Sequence, residues 1–199
     1  PSACFPSAIS LGSTWDMGLI NKLGIELGSE AKLKDVDVLL GPTINIHRHP
    51  LGGRHFESYS EDPYLTGRIA IEYVNGVQSK NVASCLKHFV GNDTEFQRYA
   101  VSSNIDERTL REIYLLPFEM GIKESNAKSV MSAYNKLNNI YCSSHKQLLI
   151  DILKKEWNFD GYVVSDWGAA LENIENANGG LDLEMPGPAK SWGTNLVQA

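Results

Sequence analysis

Short apolar runs alternate with stretches of helical periodicity from one end of the chain to the other. Val82 to Phe89, Ser129 to Ala133 and Tyr162 to Val164 are nearly continuous apolar runs, as expected of strands buried on both faces of a parallel sheet. Val38-Leu39-Leu40 is a further run, broken at Gly41-Pro42, and Leu181 to Glu184 a last one, stopped by Pro186-Gly187. Between them, Leu19, Ile20, Leu23 and Leu27 recur at helical spacing behind a Ser13 or Thr14 cap. Asp62-Pro63 opens a second helix through Leu65, Ile69, Tyr73 and Val77, with an acid at the N-cap and Pro in the first turn. Leu110, Ile113, Tyr114, Phe118 and Ile122 mark a third, from about 106 to 124, in which Pro117 predicts a kink. Leu148, Leu149, Ile152 and Leu153 predict a helix from Ser143 or Ser144, and another runs from Gly168 to about Asn176. Residues 3–12 read as a short extended piece, and 45–61 as a polar loop.

This alternation predicts an α/β fold, a parallel sheet with crossover helices. An open doubly wound sheet and a closed barrel both fit it. No Gly-x-Gly-x-x-Gly follows a strand, which counts against a dinucleotide fold. Polar residues close several runs: Lys87-His88, Tyr134-Asn135 and Asp166-Trp167. Chemistry spread over many strand ends favours the barrel.

Composition narrows the picture. The chain has 199 residues, 42% hydrophobic and 21% charged, enough for one sizeable core. A net charge of -6 with no basic run makes nucleic acid and anionic membrane poor partners. No apolar stretch reaches the roughly 20 residues of a membrane helix. The sequence opens at Pro1 without a secretory signal, and cytoplasmic and secreted locations both stay open. Three widely spaced cysteines fit neither a disulfide framework nor a zinc site and read as buried thiols.

Four groups of residues could carry chemistry. Gly52-Gly53-Arg54 can place one guanidinium whose fork holds two hydroxyls or a carboxylate; alternatively Arg54 pairs with Glu57 or Glu61. Lys87 and His88 could donate hydrogen bonds and keep a nearby carboxylate ionised. Neighbours on a strand point to opposite faces, so both reach one pocket only where the backbone is irregular. A snorkelling Lys and a core His are the plainer alternative. Asp166 beside Trp167 pairs a carboxylate with an indole that could stack on the apolar face of a sugar ring; alternatively Asp166 caps the next helix. His47, His49 and His55 crowd one loop, but the loop is long and a metal site is not expected.

Five stretches, taken together and in order, resemble the β-glucosidases of glycoside hydrolase family 3. They are Gly53-Arg54-His55-Phe56-Glu57-Ser58-Tyr59-Ser60-Glu61-Asp62-Pro63, Lys87-His88-Phe89, Val130-Met131-Ser132-Ala133-Tyr134-Asn135, the run from Ile152 to Val164-Ser165-Asp166-Trp167-Gly168, and Leu181-Asp182-Leu183-Glu184-Met185-Pro186-Gly187. The resemblance implies a (β/α)8 TIM-like barrel, incomplete here. The family's first strand with its Asp-Gly-Pro stretch is missing, as is the C-terminal second domain that usually carries the general acid/base. Residues 1–199 are thus expected to be part of an N-terminal catalytic domain, with little turnover as an isolated chain. The implied activity is retaining hydrolysis of terminal non-reducing β-D-glucosyl residues through a covalent glycosyl-Asp intermediate. Its substrates would be small β-glucosides or oligosaccharides of cellobiose type.

By the same resemblance Asp166 is the nucleophile, and Arg54, Lys87 and His88 bind glycone hydroxyls. Met131 and Tyr134 line the subsite, and Trp167 stacks on the sugar. Residues after Lys87-His88-Phe89 lack the Pro and second His of the family's hexosaminidases. β-Xylosidase is the nearest rival activity, and a non-catalytic carbohydrate-binding domain the rival class. No metal or cofactor is expected, and the oligomeric state is not readable from the sequence.

Overall fold

A computed structural model describes residues 2–199. A short helix α1 (Ala8–Gly12) stands where an extended piece was expected. Helix α2 (Met17–Leu33) starts later than the Ser13/Thr14 reading, because the Asp16 carboxylate accepts the Leu19 N–H at 2.9 Å. Strand β1 is Val38–Leu39. Helix α3 (Pro63–Gln78) is capped as expected, with the Asp62 carboxylate accepting from Leu65. Strand β2 spans Ala83–Phe89 and a short β3 Ser102–Ser103.

The third helix is broken into α4 (Glu107–Thr109), a π-helical turn (Leu110–Tyr114) and α5 (Leu116–Ser125). Pro117 has no N–H to offer the carbonyl four residues back. The chain meets this one turn early, as Leu115 N–H bonds to Leu110 O at 2.8 Å, five residues behind.

Strand β4 is Ser129–Ser132. A hairpin follows, β5 (Lys136–Leu137) and β6 (Ile140–Tyr141), joined by Asn138 and Asn139 at φ of 49° and 73°. Two residues of positive φ give the turn whose twist suits a hairpin. The next helix, Gln147–Glu156, is π-helical, and β7 follows at Tyr162–Ser165. The helix predicted from Gly168 is instead α6 (Ile174–Gly179), and α7 (Thr194–Gln198) ends the chain. The predicted last strand shrinks to one parallel bridge, Val164 to Leu183.

The main sheet is parallel in the order β1-β2-β4-β7. Each strand adds on the same side, and Leu183 continues the series beyond β7. A doubly wound sheet reverses its order at a switch point; these strands, among the described residues, do not. The core lies between sheet and helices, where Phe89 meets Phe118 and Trp157 edge-on at centroid distances of 4.9 and 5.9 Å.

Helices α2 and α3 touch backbone to backbone through Gly24, Gly28 and Gly76. A Cβ on Gly76 would lie 2.5 Å from Asn21 O and 2.8 Å from Gly24 Cα and Ile25 N. None of these atoms can swing aside. Gly76→Ala is therefore expected to lower stability by about 2 kcal/mol, despite a gain of roughly 1 kcal/mol in helix propensity. A fall in the urea midpoint at unchanged slope measures this; a rise would show that the helices separate without strain.

Candidate active site

The four strands deliver polar side chains to one end of the sheet. Asp166 follows the last residue of β7, and its N–H bonds to Ser132 O at the end of β4. It caps no helix: α6 starts at Ile174 behind Asn173. The carboxylate is held instead by its own neighbour, as Trp167 N–H donates to Oδ1 at 2.7 Å. The other oxygen, Oδ2, is buried and accepts no hydrogen bond. Burial pushes the Asp166 carboxyl up; the Trp167 N–H, Tyr134, Arg54 and Lys87 oppose that rise.

His88 Nε2 lies 3.4 Å from Asp166 Oδ2. Burial first, then the cations Arg54, Lys87 and Arg98, hold the imidazole well below its usual range, so the ring is neutral. Lys87 and His88 both reach this end because β2 is irregular. Its pairing with β4 slips between Leu86 and Phe89, and the Lys87–His88 and Phe89–Val90 peptide bonds are cis. The backbone irregularity that the sequence required is present.

Arg54, in the loop after β1, donates through Nε to Glu57 Oε1. Glu57 Oε2 faces Lys87 Nζ at 3.8 Å and accepts from Thr43 Oγ1 at 2.9 Å. Burial alone would raise the Glu57 carboxyl, but Arg54, Lys87 and Thr43 outweigh it and hold it below the usual range. The pairing of Arg54 with Glu57 is thus real, and it sits inside the polar cluster. Asn45 lies beside it, its amide bonded to both backbone groups and the ring of His88.

Tyr134 Oη donates to Trp167 O at 3.1 Å. Its phenol is pushed up, first by burial and then by the Asp166 charge. Arg98 stacks on the Tyr134 ring, its guanidinium carbon 4.2 Å from the centroid, and Tyr99 packs on the same ring at 4.6 Å. The Trp167 side chain stays part-exposed beside them. A small cavity of about 10 Å³ is lined by Arg54, His88, Asn45 and Thr43 with Asn92, Asp93 and Glu95. Lys87, Tyr134, Asp166, Trp167 and Met131 do not line it. Met131 is 2% exposed and packs with Cys85 and Val164 in a separate apolar cluster.

The structure therefore brings Arg54, Lys87, His88, Tyr134, Asp166 and Trp167 to one end of the sheet and leaves Met131 in apolar packing. Sequence reasoning missed Asn45, Thr43 and Arg98. Asn45 alone left a signal, one amide between the apolar Ile44 and Ile46. The crowded histidines resolve into a tilted stack of His47 on His55 at 4.6 Å, with His55 Nε2 2.6 Å from His49 O. Among the described residues no helix is long and apolar enough to cross a membrane.

Comparison with known proteins adds to this geometry. Residues 2–185 match the family model described as the glycosyl hydrolase family 3 N terminal domain. A β-glucosidase of Rhizobium radiobacter is 56% identical over 198 residues, covering 100% of this chain and 24% of that protein. The thermostable β-glucosidase B of Acetivibrio thermocellus is 50% identical over 94% of this chain and 25% of its own length. Among solved structures, β-glucosidase from Kluyveromyces marxianus in complex with glucose superposes with a TM-score of 0.98 at 46% identity, over 100% of this chain and 24% of that one. β-Glucosidase 3B from Thermotoga neapolitana in complex with α-D-glucose gives 0.91 at 50% identity, over 93% and 26%. The chain spans about a quarter of the length of the curated relatives it matches.

Proposed function

The chain belongs to glycosyl hydrolase family 3, and on that footing we propose that it supplies the sugar-holding and nucleophilic part of a retaining β-glucosidase. The observation that carries this reading is Asp166 Oδ2: a buried carboxylate oxygen with no hydrogen-bond partner, at a strand end, beside His88 and near two cations. An oxygen left bare and desolvated is suited to attack carbon rather than to hold the fold together.

In the proposed reaction Asp166 bonds to the anomeric carbon of a terminal β-D-glucosyl residue as the glycosidic bond breaks. The leaving oxygen takes a proton from a carboxylic acid on the opposite side of the bond. Water then attacks the glycosyl ester, giving its proton to that same group and releasing Asp166. Arg54, Lys87 and His88 grip the hydroxyls, and Trp167 offers its part-exposed face to the ring. Tyr134 orients the Asp166–Trp167 turn. Glu57 is not the acid, because Arg54, Lys87 and Thr43 hold it ionised. The family resemblance assigns the acid to a second domain, outside residues 1–199. The same reading makes residues 1–199 part of one catalytic domain and the one-sided strand order a stretch of a (β/α)8 barrel.

Glucose is preferred over xylose as the glycone because the relatives are named β-glucosidases and two solved ones hold glucose. The test is inactivation of the intact protein by a 2-deoxy-2-fluoro-β-glucoside, followed by peptide mapping. The adduct is expected on the peptide carrying Asp166. An adduct on any other residue, or a xyloside preferred in kcat/KM, overturns the corresponding part of the reading.

A further inference from the structure

Asn45 is buried on the segment that follows β1, where Ile44 N–H bonds to Lys87 O at 2.8 Å. Its amide clamps the backbone of His88. Nδ2 donates to His88 O at 2.8 Å, and Oδ1 accepts the His88 N–H at 2.9 Å. A carbonyl can only accept and an N–H can only donate, so these two bonds fix which end of the amide is oxygen. That same Oδ1 lies 3.1 Å from His88 Nδ1. The ring nitrogen facing an amide oxygen must carry the hydrogen. In a neutral imidazole the other nitrogen, Nε2, is then a bare lone pair, and Nε2 is the atom 3.4 Å from Asp166 Oδ2.

We propose that Asn45 is a positioning residue that locks His88 in the Nδ1–H tautomer, so that Nε2 serves the sugar as a hydrogen-bond acceptor and forms no ion pair with Asp166. This deepens the β-glucosidase reading and rests on it for the identity of the ligand, though not for the tautomer. Two acceptors, Nε2 and Oδ2, face each other across a gap with no hydrogen between them. A ligand hydroxyl that donates into this gap satisfies one of them. A group that only accepts, such as a fluorine in place of that hydroxyl, does not. The lock also keeps Asp166 free: an imidazolium at His88 would hold the carboxylate in an ion pair and blunt it as a nucleophile.

Replacing Asn45 by aspartate tests this: a charge is placed on Nδ1–H, at the loss of the Nδ2 donor to His88 O. The charged groups facing His88 are Arg54 from the loop after β1, Lys87 from β2, Arg98 from the loop after β2 and Asp166 from the end of β7. Three are cations and oppose protonation; a carboxylate at position 45 works against them. A raised histidine pKa means that the ring is protonated, and the site impaired, below the new pKa and recovers above it. The acid limb of kcat/KM for an aryl β-glucoside is therefore expected to move to higher pH in Asn45→Asp, with about tenfold loss one unit below the new pKa.

Solid-state 15N NMR of the histidine-labelled intact protein reads the tautomer without any turnover, with His88→Gln identifying the signal. The wild-type protein is expected to show His88 with a protonated Nδ1 and a bare Nε2 at neutral pH, and Asn45→Asp to show both nitrogens protonated. A wild-type His88 with hydrogen on Nε2, or an Asn45→Asp acid limb that does not move, overturns the proposal. A bare Nε2 in a protein that hydrolyses no β-glucoside would instead sustain the tautomer and overturn the functional reading.

Discussion

Asp166→Asn is expected to lower kcat on an aryl β-D-glucoside by roughly 10⁴-fold or more in the intact protein, with KM little changed. An amide cannot form the glycosyl ester, yet it keeps the side chain's shape and can still accept the Trp167 N–H that bonds Oδ1 at 2.7 Å. The smaller Asp166→Ala leaves room for azide, which is expected to restore turnover and give an α-configured glycosyl azide. A β-configured product, or turnover of Asp166→Asn within tenfold of wild type, would remove Asp166 from the nucleophile's role. The same Asn substitution is expected to stabilise the fold by about 1 kcal/mol at neutral pH. It removes a charge that is buried and, at Oδ2, unbonded. Burial raises this carboxyl in the folded chain, so its cost is absent below the unfolded pKa, grows between the unfolded and the folded one, and is full above that. A higher Tm at neutral pH, fading in strong acid, is the signature.

Glu57→Gln is the second large effect, expected to reduce kcat/KM by roughly 10²-fold, chiefly through KM. Glu57 faces two cations at once, with Oε1 on Arg54 Nε and Oε2 toward Lys87. Without that charge Arg54 and Lys87 repel each other, and His88 lies beside both. Removing one partner of a desolvated pair costs about 3 kcal/mol; one pKa unit's worth, about 1.4 kcal/mol, is tenfold. Wild-type KM in Glu57→Gln, measured with glucose as a competitive inhibitor alongside, would show that the two cations hold their places unaided.

How much of this was legible in the sequence varies from element to element, for physical reasons. The Asp62-Pro63 start of α3 was plain, since cap and first-turn chemistry are local. The start of α2 was displaced because three candidate caps, Ser13, Thr14 and Asp16, stand close together and only the backbone decides which carboxylate or hydroxyl meets an orphan N–H. Pro117 announced a kink, but not that the helix would break and a π-helical turn at Leu110–Tyr114 stand before it. Asp166, Lys87 and His88 stood out as polar residues closing apolar runs. Glu57 was visible as the partner of Arg54, as the alternative to a binding role for that arginine, and the pairing is present. Arg98 had no periodic or spacing signal, because its meaning lies in the ring of Tyr134, far along the chain. Met131, flanked by buried residues on a four-residue strand, went to apolar packing.

The glycine contacts have a mechanical consequence. Where α2 meets α3, the spacing is set by the radii of backbone atoms, with no side chain between Gly24 and Gly76 to grow or shrink. Gly12 repeats the arrangement against the Tyr59 carbonyl, at the far end of the loop that carries Arg54 and Glu57. The C-terminal end of that loop thus rests on one fixed stop, and the helix that follows it, α3, on another. Substitutions within the loop can re-aim the guanidinium by its own rotamers, while the seat of the loop's end and of α3 keeps its dimensions.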